Sequence, residues 1–536
     1  MTTTVTRLGA RLLAPLALST LWLTSCTDLE LTPLDTATPN VLFTDEESYT
    51  AFIARVYAGL AVTGQNGPQS QLGGAPDISG IDEGFSSYVR ALWKLQELPT
   101  DEAIITWGDP GLDDLVETDW DANNAFVNAM YARAYFQVAL ANEFIRESTP
   151  ELLAERGIPE GFQGTVASYR AEARFLRALS YYHILDLFGT GPFFTEEQAV
   201  GGTPPPQGSA EEIFGFVESE LAAVADLLPA PGQAQYGRVD QGAVYALQSR
   251  LFLNAPVYVG QDRNADAAAA ALRVIDAGAY ALEDTYADLF RADNNTSNEL
   301  IFAIPFDGEN TQTFGGTTFL VHGALGGDAV DPLAFGVNVG WGGMRTNPEF
   351  VDFFDDPSGD TDGRALFFTE GQTREIESRT IFEQGFLITK WSNITSEGLP
   401  GSDLTFVDTD FPLFRLGEVY LNYAEAVVRG GSDDRDRAVA LVNELRARAL
   451  DSERGDVGDG DLTLEFLFGE RSRETYWECL RRTDLRRYGL YTGDAYVWTF
   501  KGNEVEGASM PAFRDVFPIP APEIQSNPNL TQNDGY

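Results

Sequence analysis

Residues able to carry chemistry are unevenly supplied along this chain. It has two histidines, His183 and His322, and two cysteines, Cys26 and Cys479. A Ser-His-Asp triad, a zinc site or a disulfide framework therefore has little raw material. Carboxylates are the opposite case. With 81 of them, neighbouring acids arise by chance, and no glycosidase dyad stands out. The loop DPSGDTDGR, residues 356–364, has the composition of a calcium loop, but placing Gly363 sixth puts Ser358 first and Thr369 twelfth. Neither is a carboxylate. A solvated turn is expected there, and no metal or cofactor is implied.

Aromatic residues are what remains. The chain has 35 Phe, 20 Tyr and 8 Trp, and flat rings suit the C–H faces of sugars when polar neighbours read the hydroxyls. Trp341 sits in the glycine-rich loop GVNVGWGGMRTN, with Asn338 and Arg345 close by in sequence. Glycines cannot bury an indole, so its ring either tucks into a core beneath the loop or faces a ligand. Trp107 follows Asp101-Glu102 in an irregular stretch and poses the same choice. Trp120 begins a helix, which favours packing, while Tyr88 and Trp93 are weaker candidates and Trp391 ends a strand of core type. The candidate ligand-binding set is Trp341, Trp107, Asn338, Arg345, Trp120 and Tyr88.

Charge removes whole classes of function. The formal net charge is −45, from 81 acids against 36 bases. A nucleic-acid partner is excluded, because no basic field exists to displace its counterions. Anionic polymers are repelled at long range, which tilts the reading towards a neutral glucan or similar polymer. Lysine occurs only at Lys94, Lys390 and Lys501, as suits a salt-rich habitat.

The elements that must position these rings are mostly helical. In the run YRAEARFLRALSYYHILDLFGTGPFF, residues 169–194, Ala171, Phe175, Ala178, Tyr182 and Leu185 share one face. Gly189 is placed to end this helix in a left-handed conformation, and Pro192 prevents its continuation. Thr44 with Glu47, and Ser209 with Glu212, read as capping boxes. Further helices are predicted over 121–147, from Asp240 to before Pro256, over 265–277 and over 433–450. From 284 to 410 glycines cluster and strands shorten, giving a loop-rich insertion of the kind that carries binding residues. The segment NELIFAIP, residues 298–305, is a predicted strand. Helices return at Phe411, where Glu425 and Arg429 form an i,i+4 pair, and residues 469–489 read as one strong helix.

The N-terminus reads as targeting sequence. Arg7 and Arg11 precede an apolar run from Leu12 to Trp22 that is too short for a membrane span. Leu23-Thr24-Ser25-Cys26 resembles a bacterial lipobox, in which Cys26 becomes the lipidated first residue. Residues 26–40 then form a tether, 41–283 a helical hairpin scaffold, 284–410 the ligand-binding insertion, and 411–536 the C-terminal helices and an extended tail.

Four ordered segments resemble the SusD/RagB family of glycan-capturing outer-membrane lipoproteins. They are residues 169–194, 411–431, 470–489 and 517–536, the last being FPIPAPEIQSNPNLTQNDGY. The chain departs from the family at Cys479-Leu480, where members commonly have Gly-His. The resemblance implies an all-α fold of tetratricopeptide-like hairpins. It also implies a non-catalytic surface lipoprotein, anchored in the outer membrane through Cys26. Such a protein captures oligosaccharide and hands it to a SusC-like TonB-dependent transporter beneath it. The rival classes are a helical scaffold for protein or peptide and a surface glycoside hydrolase.

Overall fold

The computed structural model describes residues 42–64, 76–82, 84–198, 201–450 and 455–536. Cys26 and the tether lie outside these. Helix α1 (Glu46–Ala61) is capped by Asp45, whose carboxylate accepts from the Ser48 amide at 2.9 Å while Ser48 Oγ accepts from the Asp45 amide at 3.1 Å. The capping box is thus one residue later than the expected Thr44/Glu47 pair, because the carboxylate of Asp45 outcompetes a hydroxyl and finds a reciprocating Ser48. Helix α2 (Tyr88–Glu97) is buried along its whole length. Helix α3 (Ala125–Glu147) starts where Asn124 Oδ1 accepts from the Phe126 and Val127 amides. It packs against α4 (Glu160–Phe188).

Helix α4 begins before Tyr169 but carries the predicted apolar face, with every residue from 175 to 188 buried. Gly189 ends it at φ +71°. Its polar residues are inside too. Asp186 accepts from Tyr258 Oη at 2.8 Å and Gln96 Nε2 at 2.7 Å, and it faces Arg482 and Arg486. Helix α5 (Ala210–Val224) carries the expected Ser209–Glu212 box. Helices α6 (Gln241–Leu253) and α7 (Asn264–Ala277) form the next packed pair. Successive helices thus pair as hairpins, each burying the apolar stripe of its neighbour.

Strands are few and short. Residues Ile104–Ile105 (β1) lie between α2 and α3 in sequence. Leu300–Ile304 (β2) pairs antiparallel with the first residues of the returning C-terminal segment, Phe411–Arg415. That segment therefore opens as a strand, with its helix beginning only at Leu416. The insertion also contains helix α8 (Gly316–Ala324) and the two-residue strand Met344–Arg345 (β3). With Phe411–Arg415 as β4, helices α9 (Leu416–Val428), α10 (Arg435–Ala449), α11 (Leu464–Thr475) and α12 (Arg481–Arg487) close the body. The Glu425–Arg429 pair forms at 2.8 Å.

The helix expected over 469–489 is broken at 476–480. Trp477 and Cys479 sit at φ +58° and +64°, the left-handed region that favours glycine. Two carboxylates from α2 and the segment after it catch the freed amides: Glu102 takes Trp477 N at 2.9 Å and Glu97 takes Leu480 N at 3.1 Å. No local pattern announces partners nearly four hundred residues away. Cys479 is a free, buried thiol.

A charged core ties the insertion to the C-terminal helices. Arg415 donates to Glu299, Glu474 and Glu478 at 2.7–3.0 Å. Arg364 donates to Asp362, Glu470 and Glu474, and Lys390 to Glu478 at 2.6 Å. The end of the DPSGDTDGR loop is therefore not solvated: Asp362 and Arg364 belong to this buried set, while Asp356 and Ser358 form the exposed turn. All three lysines are buried, so no lysine reaches the acidic surface. The described residues from Phe43 onward form one unit, and among them no helix is long and apolar enough to cross a membrane.

Candidate functional site

Two of the predicted tryptophans come together. Strands β1 and β3 pair antiparallel, Ile104 opposite Arg345 and Ile105 opposite Met344. This pairing carries Thr106 and Trp107 onto the glycine-rich loop. Thr106 N donates to Gly343 O at 2.9 Å, Thr106 Oγ1 to Gly342 O at 2.8 Å, and Trp107 Nε1 to Trp341 O at 3.2 Å. The two indoles lie 6.3 Å apart at 45°. Gly343 is required for the approach, since a Cβ there would stand 2.5 Å from the Trp107 ring.

The end of α8 holds the other side of the loop. Trp341 N donates to His322 O at 2.7 Å, Gly342 N to Leu325 O at 2.7 Å and Gly343 N to Gly323 O at 3.0 Å. The His322 ring lies flat behind the Trp341 indole, 4.8 Å away at 22°. Its Nδ1 bonds Val339 O at 2.6 Å, while Nε2 is buried without a partner. Burial holds its protonation below the usual histidine value. One face of Trp341 is thus backed by an uncharged ring, and both indoles remain half-exposed.

Further rings extend the platform. Phe314, also half-exposed, lies 6.3 Å from Trp341 and 5.2 Å from Phe406. Beside Trp107 stands Arg90, its guanidinium 5.7 Å from the indole, 5.5 Å from Phe85 and 4.4 Å from Phe319. Arg90 Nη1 donates to Phe314 O at 2.8 Å, whereas Nε has no partner. Burial lowers its pKa to about 10, opposed by the carboxylates of Asp109 and Asp82. Asn338 is exposed near the same loop, anchored through Nδ2 to Thr405 Oγ1 at 2.8 Å and through its amide to Leu404 O at 2.9 Å. Val339 at 50% and Leu404 at 39% exposure add open apolar surface. Half-exposed rings beside fixed polar groups can stack on a flat ligand and read its hydroxyls.

Three of the sequence candidates lie elsewhere. Trp120 is sealed at 1% exposure, its Nε1 donating to Tyr536 Oη at 2.8 Å and its ring 4.7 Å from Phe517. Tyr88, also 1% exposed, is bonded to His183 Nδ1 at 2.7 Å. Arg345 is fully buried and clamps a loop by donating to the carbonyls of Ile381, Gln384 and Arg379 at 2.5–2.7 Å. With no carboxylate in contact, burial drives its pKa down to about 9. The β1–β3 register turns Arg345 inward. Trp93 and Trp391 are core residues. Sequence reasoning missed Arg90, Phe85, Phe314 and His322. Only Phe314 carried a local signal, the glycines that follow it.

The fold and this platform can be set beside known proteins. The sequence model of the SusD family matches residues 357–536. The starch-binding protein SusD of Bacteroides thetaiotaomicron is 34% identical over 560 residues, covering 96% of this chain and 96% of the relative. This chain belongs to the SusD family. Among solved structures, a SusD superfamily protein from Bacteroides thetaiotaomicron superposes with a TM-score of 0.69 at 19% identity, covering 91% of this chain and 99% of that one. A surface glycan-binding protein A of the same organism, solved with laminarihexaose, superposes with a TM-score of 0.68 at 20% identity, covering 91% and 100%. The mainly helical architecture is that of the SusD superfamily.

Proposed function

We propose that this chain is a cell-surface lipoprotein that captures neutral glycan on the Trp107–Trp341 platform. The observation that carries the reading is the pair of half-exposed indoles, held by main-chain hydrogen bonds and extended by Phe314 and Arg90. A preformed aromatic surface binds without first ordering its side chains, which reduces the entropic cost of capture. The starch-binding relative, 34% identical along nearly the whole chain, supports a carbohydrate as the ligand. Asn338 and the Asp82–Arg90–Asp109 group stand at the edges, where sugar hydroxyls need donors and acceptors.

In this reading Cys26 carries the lipid that anchors the protein to the outer membrane, facing outward. The bound oligosaccharide passes to a SusC-like TonB-dependent transporter, over which the protein acts as a lid. Binding and release are the whole mechanism, with no cofactor and no bond broken. The domain roles follow with one change: the helices of 41–283 and 411–536 are the body, and the ligand face joins the 284–410 insertion to Arg90 and Trp107 of the first region.

Affinity electrophoresis on starch and laminarin tests the reading. The wild-type chain is retarded, and the Trp107→Ala/Trp341→Ala chain loses at least ~1.4 kcal/mol, about tenfold in affinity. Unchanged mobility of the wild type on every neutral glycan returns the protein-scaffold reading, and degradation of the gel polysaccharide returns the hydrolase.

A further inference from the structure

A cavity of about 740 Å³ lies away from the tryptophan platform. It lies along the second half of α3, walled by Tyr135, Phe136 and Phe194, with Pro205 and Glu523 closing it from two other parts of the chain. Helix α3 itself gives the separation. Phe126, near its start, touches Phe85 of the platform at 5.4 Å. Tyr135 and Asn142 come nine and sixteen residues later, about 14 to 24 Å along the axis at a rise of ~1.5 Å per residue.

The walls are held in place. Tyr135 and Phe194 lie nearly parallel, 18° apart with centroids at 6.1 Å. Phe194 is fixed at both main-chain groups: Tyr181 Oη donates to its carbonyl at 2.6 Å and accepts from its amide at 3.0 Å. Asn527 Nδ2 donates to Pro205 O at 2.9 Å, fastening the proline wall to the C-terminal tail. Glu523 is the exception. Its half-buried carboxylate has no cation or donor among the described residues. Burial alone shifts its protonation upward, with no neighbouring group opposing the shift. A carboxylate beside aromatic faces calls for a ligand with hydroxyl donors at its rim and C–H groups on its faces.

We propose that this cavity is a second saccharide subsite, separate from the platform. It takes a short run of neutral pyranose rings against Tyr135, Phe136 and Phe194, with Glu523 accepting hydrogen bonds from their hydroxyls. The proposal rests on the glycan reading of the platform and extends it. A polysaccharide long enough to reach both sites gains avidity that a trisaccharide cannot, commonly ~10²-fold or more.

Calorimetric titration and saturation-transfer NMR on the full chain, with maltotriose and laminaritriose as probes, test this. The Trp107→Ala/Trp341→Ala chain retains weak trisaccharide binding, and adding Glu523→Ala or Phe136→Ala reduces that remainder at least tenfold. Melting temperature monitors the folding of each variant. If wild type binds and the platform variant gives no signal, the second subsite is wrong and the platform stands. Residual binding that survives both Glu523→Ala and Phe136→Ala overturns the assignment to this cavity. If wild type binds neither the trisaccharides nor the parent polysaccharides, both readings fall together.

Discussion

At the junction of β2, β4 and α11, Arg415 commits its donors to three glutamates and a carbonyl. At the platform, Trp107 and Trp341 share one side-chain hydrogen bond and are both only partly buried. The first region buries charge and pairs it. The second exposes rings and is held by main-chain bonds, by the Trp107 and Thr106 side chains and by the histidine behind it. The family match follows this division. Residues 357–536 contain Arg364, Lys390, Arg415 and Glu470 to Glu478, but none of Arg90, Trp107, Phe314 or Trp341. The matched segment thus holds most of the buried charge set, while the platform tryptophans come from segments before it and only their edge, Leu404 to Phe406, lies within it.

The comparison breaks most sharply at Arg415. Replacing it with alanine leaves Glu299, Glu474 and Glu478 buried without their shared cation. The expected loss is about 3–5 kcal/mol in urea unfolding, the usual cost of removing one partner from a buried pair. A chain that keeps wild-type stability would show that Lys390 and Arg448, which pairs with Glu299 at 2.6 Å and with Glu474, carry the network without it. Acid attacks the same region. Arg364, Arg473 and Arg446 hold the Glu470 carboxyl down at about 2, and Arg487, Arg471 and Arg429 hold Glu425 at about 2. Both lie below their ordinary 4.5, so the stability they contribute is present above pH 4.5 and lost as pH falls from there towards 2. Melting temperature measured across that window should fall. A flat profile would place compensating protonation elsewhere in the cluster.

A pair of tryptophans separates packing from binding. Trp120→Ala opens a cavity under Phe517 and removes the donor to Tyr536 Oη, which keeps its own bond to Val516 O, for an expected loss of about 3 kcal/mol in stability. Glycan affinity at low temperature stays at the wild-type value. Trp341→Ala does the reverse: affinity falls about tenfold, or ~1.4 kcal/mol, with a small change in melting temperature. If the two variants behave alike, the platform is part of the core after all.

What was legible followed from interactions short in sequence. The apolar face of α4, the Ser209–Glu212 box and the Glu425–Arg429 pair each involve residues a few positions apart, and each is present. The break at 476–480 was hidden because Glu97 and Glu102, which catch its amides, come from the other end of the chain. Trp120 carried no mark of its partner Tyr536, the last residue. Arg345, set among polar and glycine residues, had the look of a ligand group. Its inward turn follows from a two-residue strand pairing with Ile104 that neither segment announces. Trp107 and Trp341 each faced an open choice in the sequence, and their proximity settles how the two loops pack, through contacts 234 residues apart.

The smallest expected effect bears on how the platform is held. His322 supports Trp341 in two ways, by a parallel ring and by the Nδ1 bond that fixes Val339 O. His322→Phe keeps the ring and loses the bond, an expected cost of about 1 kcal/mol in stability, while glycan affinity changes little. His322→Ala removes both and lets the indole settle inward, so affinity falls as well. Protonation offers a parallel readout. Burial holds the folded-state value below the ordinary 6.5, so the contribution of His322 is complete above pH 6.5 and declines as pH drops towards the folded value. Glycan affinity is therefore flat from pH 8 to 6.5 in the wild type. Should His322→Phe lose as much affinity as Trp341→Ala, the hydrogen bond to Val339 and not the stacked ring sets the height of the platform, and the loop 336–343 is where rigidity must be engineered.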